Sequence, residues 1–234
     1  MLDELCKSKY IIFDFDGVIV DSETIYFKAW KGASYLYGFN LTDEELLSLR
    51  SCDKSIACKL FGGLDQYNVV REKRKEIMND YLVKNKFKLK DGIYEGFKNL
   101  YNRGYIIVIA TSSSLDMVSL HLKYYKLDKY VKEILSVKSL KRGKPYPDIY
   151  LNVCEHFNLK PNEVLAVEDS PNGILSAHYA GVNVVMIPDL TMPDKDILNM
   201  VCGVYNSVLE LVKWIGRRKL NLVMSRDLIV LYEL

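Results

Sequence analysis

Apolar residues in this chain gather into short unbroken runs, separated by longer stretches in which they recur every three or four positions. Tyr10–Phe13 (YIIF), Tyr105–Ala110 (YIIVIA), Val164–Val167 (VLAV) and Asn183–Ile187 (NVVMI) are runs of strand length, and Ile134–Val137 is a weaker one. A strand covered on one face alternates apolar and polar residues, whereas an unbroken run predicts cover on both faces, as in a parallel sheet. Between these runs, Ile93–Tyr101, Ser114–Lys126, Pro147–Phe157 and the segment from Ser170 to Gly181 carry helical spacing. Gly104 fits a helix stop and Pro147 a first helical turn. Strand alternating with helix predicts an α/β fold, a doubly wound, Rossmann-like core with a parallel sheet.

Residues 20–86 break the rhythm. They offer only helical patterns, at Thr24–Tyr37, Thr42–Leu49, Ser55–Phe61 and Val69–Lys84. That is too long for one crossover between strands, so the expectation is an all-helical cap domain (20–86) inserted into an α/β core (1–19 and 87–234). The two connections would then form a hinge.

Composition narrows the classes of function. With 234 residues, 49% hydrophobic and 26% charged, the chain is of ordinary globular make-up and long enough for a substantial core. Its 32 basic and 30 acidic residues nearly cancel, leaving +2. That argues against nucleic acid as a partner, which needs a dominant basic surface. The five cysteines are odd in number, scattered and without a C-x-x-C pair, as expected of free thiols in a reducing compartment. No stretch approaches the roughly 20 apolar residues that span a bilayer, and the first ten residues break up before any apolar leader could form. A cytoplasmic monomer with no membrane partner is expected.

Three polar clusters stand directly after apolar runs: Asp14 and Asp16 after the first, Thr111 and Ser112 after the second, Glu168 and Asp169 after the third. In an open parallel sheet ligands bind beyond the carboxyl ends of the strands, so these clusters should converge. Concentrated carboxylates call for a hard cation, and magnesium prefers a few carboxylates together with water and phosphate oxygens. Hydroxyls at a helix start suit a phosphate, and Lys144 can add a point charge. A carboxylate beside a metal can serve as a covalent nucleophile toward phosphorus.

Asp14-Phe15-Asp16-Gly17-Val18-Ile19-Val20-Asp21-Ser22-Glu23 resembles the first motif of the haloacid dehalogenase superfamily. Ile109-Ala110-Thr111-Ser112-Ser113 is similar to its second, the segment from Lys144 to Tyr150 (KPYPDIY) to its third, and Val167–Gly173 (VEDSPNG) to its fourth. The likeness runs over about residues 8 to 215, in the family's order and spacing. It implies an aspartyl-phosphate enzyme using Mg2+, with a small phosphorylated metabolite as its partner. Asp14 would be the nucleophile, and Asp16 the general acid and then general base. Thr111 and the Ser112 N–H would hold the phosphoryl group, and Lys144 would bridge it to the nucleophile. The metal would be held by Asp14, Asp169, the Asp16 carbonyl and Glu168, and the inserted helices would be a closing cap.

Within the superfamily, Asp14 to Trp30 resembles β-phosphoglucomutase, which has a hinge histidine where this chain has Tyr26. Tyrosine cannot relay protons near neutrality, so a phosphatase is expected and a phosphosugar mutase is the alternative. A phosphorylation switch without turnover is a third reading, disfavoured by the Asp-x-Asp pair and the long insert. In the cap, Arg50 and Lys54 are candidates to reach a second anionic group on the substrate. The mixed-sign run Arg71-Glu72-Lys73-Arg74-Lys75-Glu76 reads as a solvated helix face, and His121, His156 and His178 show no ligand spacing. The segment 216–234, with its apolar Leu228–Tyr232, yields no role.

Overall fold

The computed structural model describes residues 9–49, 54–192 and 194–215. Five strands, β1 (Tyr10–Phe13), β2 (Ile106–Thr111), β3 (Val131–Ser136), β4 (Val164–Glu168) and β5 (Asn183–Met186), form one parallel sheet in the order β3-β2-β1-β4-β5. The chain winds outward from β1 to β3, then returns to the other side of β1 for β4 and β5. This is the doubly wound α/β arrangement that the alternating pattern predicts. The weak run at Ile134–Val137 is the end of β3, whose first residues, Val131-Lys132-Glu133, are too polar to signal a strand.

Between β1 and β2 lie α1 (Glu23–Leu36), α2 (Asp43–Ser48), α3 (Lys54–Leu60), α4 (Leu64–Lys84) and α5 (Ile93–Asn102). Then come α6 (Leu115–Tyr124), α7 (Asp148–His156), α8 (Pro171–Tyr179) and the short α9 (Lys195–Leu198). The unbroken apolar runs arise because both faces of the sheet are covered. Ile12, Val108, Ala166 and Val184 form one register row, packed under α7 and α8. Phe13, Ile109, Val167 and Val185 form the next, facing the other way under α5 and α6. Each such fully buried side chain is worth about 1.5–3 kcal/mol. Residues 208–215, also helical, close the second face with Val208, Leu211, Val212 and Ile215. Their spacing of three, one and three is a helical stripe in the sequence.

Helices α1 to α4 have a core of their own. Ala33, Phe61 and Val70 are buried among Trp30, Phe39 and Tyr67, with the Trp30 ring stacked 5.8 Å from Phe61 and 6.1 Å from Tyr67. Helix α4 starts at Leu64, five residues before the helical spacing becomes evident at Val69, because Asp65, Gln66 and Asn68 are polar. Thr42 starts α2 through a reciprocal pair: its hydroxyl accepts from the Glu45 N–H, and the Glu45 carboxylate accepts from the Thr42 N–H.

The two connections between this helical segment and the sheet run side by side. The Asp21 N–H donates to the Lys88 carbonyl at 2.8 Å and the Lys90 N–H to the Ile19 carbonyl at 3.0 Å. The return connection is also tied to α6. His121, buried between the Phe87 and Phe15 rings, accepts from the Phe87 N–H at Nε2 (3.1 Å) and holds the Met117 carbonyl at Nδ1 (2.8 Å). Accepting at Nε2 requires the neutral ring with its proton on Nδ1. Burial accordingly pushes the imidazole pKa down, only partly opposed by the bond to Met117.

A depressed pKa means that the unfolded chain takes up a proton that the folded chain refuses. The contribution of His121 is therefore complete above its unfolded pKa of about 6.5 and is lost as pH falls below it. The thermal midpoint of the wild type should fall between pH 7.5 and pH 5.5. In a His121→Leu variant the same change of pH should lower it less; an equal drop in both proteins would refute this assignment.

Candidate active site

The register of the sheet places the reacting groups. Because Phe13 pairs with Val167, the next residues, Asp14 and Glu168, stand level at the carboxyl edge, and the Asp14 N–H donates to the Val167 carbonyl. Asp169 follows Glu168. Carboxylate oxygens of Asp14, Glu168 and Asp169 all lie within 4.8 Å of one another, and all three residues are buried. Two glycines make room. A Cβ on Gly17, which has a φ of +75°, would fall 2.2 Å from the Asp169 carboxylate, and one on Gly173 would fall 1.9 Å from that of Glu168. Ser170 fixes the second approach, since its hydroxyl caps α8 by accepting from the Gly173 N–H.

One lysine answers this charge. Lys144 Nζ donates to Asp14 Oδ1 and to Glu168 Oε1, each at 2.6 Å, and to the Ala110 carbonyl at 3.2 Å. Burial alone would depress its pKa, but Asp14, Glu168 and Tyr150 together hold it well above its ordinary value. Beneath it, the buried Tyr150 hydroxyl donates to the same Glu168 oxygen. Burial raises the Glu168 pKa despite the lysine. Glu168 Oε2 is buried with no hydrogen-bond partner among the described residues. An all-oxygen donor set with an orphaned oxygen fits a hard divalent cation.

Asp16 lies beside this group but is held differently. Its Oδ2 accepts from the Ser113 hydroxyl at 2.6 Å. Burial first, and then the charge of Asp14, push its carboxyl pKa up to about 6. Ser113 is fixed on two further sides: its N–H donates to the Thr111 hydroxyl at 2.9 Å, and its carbonyl accepts from Ser136 at 2.7 Å. Thr111 is thus fully buried and supports Ser113, while Ser112 is exposed and lines the cavity together with Ser113. The sequence reading singled out Thr111 and Ser112 and passed over Ser113. A third hydroxyl in the same tripeptide was the available signal.

A cavity of about 370 Å³ opens above these groups. Asp14, Asp16, Lys144 and Asp169 form its floor, and Glu23, Tyr26, Phe27, Trp30 and Arg74 bring the helical segment to its walls. Tyr26 is therefore at the cavity. Burial and the nearby Asp16 charge push its pKa up, so the hydroxyl keeps its proton. Lys54 is exposed at the start of α3, away from the cavity. Arg50 lies outside the described residues. The sequence also read Arg71–Glu76 as a solvated face. Lys73–Glu76 (2.8 Å) and Glu72–Lys75 (2.6 Å) form exposed pairs of that kind, but Arg74 turns inward over the Tyr26 and Trp30 rings. Its signal was its position, one turn from Val70 and one from Met78, which are both buried.

Known proteins resemble this chain in sequence and fold. A phosphorylated carbohydrates phosphatase from Thermotoga maritima is 28% identical over 180 residues, covering 74% of this chain and 81% of its own length. A mitochondrial (DL)-glycerol-3-phosphatase from Arabidopsis thaliana is 27% identical over 225 residues, covering 86% and 70%. Among solved structures, a conserved haloacid dehalogenase-like protein from Agrobacterium tumefaciens superposes with a TM-score of 0.73 at 25% identity, covering 91% of this chain and 99% of its own. The family model for haloacid dehalogenase-like hydrolases matches residues 11–187, from the first strand to just beyond the fifth. By motif, fold and sequence together, the chain belongs to the haloacid dehalogenase-like hydrolases.

Proposed function

We propose that this protein is a cytoplasmic, magnesium-dependent phosphatase that cleaves a small phosphorylated metabolite through an aspartyl-phosphate on Asp14. One observation carries the reading: Asp14 is clamped by the Lys144 ammonium beside Glu168 and Asp169, while Asp16, two residues on, has its pKa raised toward neutrality. The phosphatase activities named for two relatives support the reaction class. The free cysteines among the described residues, Cys58, Cys154 and Cys202, are in keeping with a reducing compartment.

In this reading an oxygen of Asp14 attacks phosphorus and the ester P–O bond breaks. Asp16, protonated in part near neutral pH, gives its proton to the departing oxygen. Its carboxylate then takes a proton from water as that water attacks phosphorus, and the bond to Asp14 breaks, releasing phosphate and the free carboxylate. Lys144 holds Asp14 in place and balances charge as the phosphoryl group arrives, and Ser113 orients Asp16. Asp14, Asp169, Glu168 and the Asp16 carbonyl would hold magnesium, which supplies neutralisation of the phosphoryl oxygens when bound. Tyr26 shields the cavity but keeps its proton, which favours hydrolysis over a mutase cycle.

Phosphate release from a panel of sugar and polyol phosphates should require magnesium and stop with a chelator. An Asp14→Asn variant should lose at least about a thousandfold in kcat. If β-glucose 1-phosphate with glucose 1,6-bisphosphate gave glucose 6-phosphate without matching phosphate release, the protein would be a mutase. Gly173→Ala, which drives a methyl group into Glu168, should weaken magnesium binding about tenfold or more by calorimetry. An unchanged affinity would remove Glu168 from the metal site.

A further inference from the structure

Arg74 is a half-buried cation on which the charge of Glu23 acts without closing to an ion pair. It sits on the buried stripe of α4, with Val70 a turn before it and Met78 a turn after. Its guanidinium lies 5.2 Å from the Tyr26 ring centroid and 5.2 Å from that of Trp30. It forms no hydrogen bond or ion pair with any described residue, and its Nε is buried without a partner. The neighbouring Lys73 and Lys75 point the other way and are each paired with a glutamate.

Packing alone does not account for an arginine here. A leucine or methionine would fill space between two aromatic rings without the cost of removing a charge from water. The two ring faces return about 0.5–2 kcal/mol through cation–π attraction, but they leave the buried Nε–H without a partner. Among the described residues that line the cavity, the one other cation is Lys144, and its ammonium is committed to Asp14, Glu168 and the Ala110 carbonyl. Arg74 comes from the helical wall and makes no ion pair with Asp14, Asp16 or Asp169 of the floor, which suits contact with the part of a substrate that leaves.

We infer that Arg74 binds a second anionic group on the leaving portion of the substrate. The substrate class is then a phosphomonoester that also carries a carboxylate or a further phosphate, either of which a guanidinium fork accepts in bidentate fashion. This rests on the phosphatase reading above and adds the substrate class to it. Beside Arg50 and Lys54, which the sequence suggested for a second anion, it sets a residue read there as solvated.

Three esters on one scaffold test it: glucose 6-phosphate, 6-phosphogluconate and glucose 1,6-bisphosphate, with glycerol 3-phosphate and 3-phosphoglycerate as a shorter pair. With magnesium present, at least one anion-bearing ester should exceed its neutral counterpart by about tenfold or more in kcat/KM. Preference for the carboxylate or for the phosphate identifies which anion is taken. In Arg74→Met that ratio should collapse toward one, and Arg74→Lys should restore part of it. A merely structural loss would lower all the esters alike and leave the ratio standing. Equal turnover of neutral and anionic esters by the wild type, or an unchanged ratio in Arg74→Met, overturns this inference and leaves the phosphatase intact. No phosphate release from any ester overturns the phosphatase reading and this inference with it.

Discussion

Three carboxylates packed within 4.8 Å of one another at the end of a sheet are an arrangement that a chain must work to keep. Like charges at that distance repel, and burial makes each costlier still. The surrounding structure is organised around this constraint. Gly17 and Gly173 stand where any larger residue would strike a carboxylate, and Ser170 and Pro171 start α8 so that Gly173 arrives at Glu168. Lys144 crosses from the loop before α7 to bridge two of the acids, and Tyr150 donates from below. Three buried carboxyls held this close, with one oxygen of Glu168 unpartnered, make a site that could hold a metal ion.

The same edge explains how the helical segment takes part. It is not attached at random: its two connections leave and return next to Asp14, joined by backbone bonds between residues 19–21 and 88–90. Helix α1 starts immediately after the first acidic loop, so Glu23, Tyr26, Phe27 and Trp30 hang over the floor within about two turns of helix. His121 then ties the return connection to the core through an uncharged ring between two phenylalanines. The segment has an aromatic cluster of its own, built on Trp30, Phe61 and Tyr67, while Ala29 and Met78 join it to the core under the sheet.

Most of the sheet was legible because unbroken apolar runs have one natural explanation, and the acids were legible because they end those runs. What escaped the sequence has physical reasons. The first half of β3 is polar because it lies at the sheet's edge, outside the doubly covered rows. Ser113 escaped because adjacent hydroxyls are equivalent in sequence, and only the fold decides which is buried as a support and which meets Asp16. Arg74 escaped because a run of mixed charge looks solvated when its members are read together. Read singly, at i−4 and i+4 from buried residues, it belongs to the apolar stripe. His121 carried no ligand spacing, and its role is to accept one backbone hydrogen bond, which leaves no trace in sequence.

Asp14 and Asp16 show how a fold assigns different work to two copies of one residue. Asp14 continues β1 and faces the ammonium of Lys144, the setting that suits the nucleophile proposed above. Asp16 follows a turn away, has a hydroxyl for a partner in place of a cation, and sits in the field of Asp14. Burial and that field lift its pKa to about 6, near enough to neutrality to give and then take a proton. In the reading proposed above, two residues of spacing and one lysine make a general acid and a nucleophile from the same side chain.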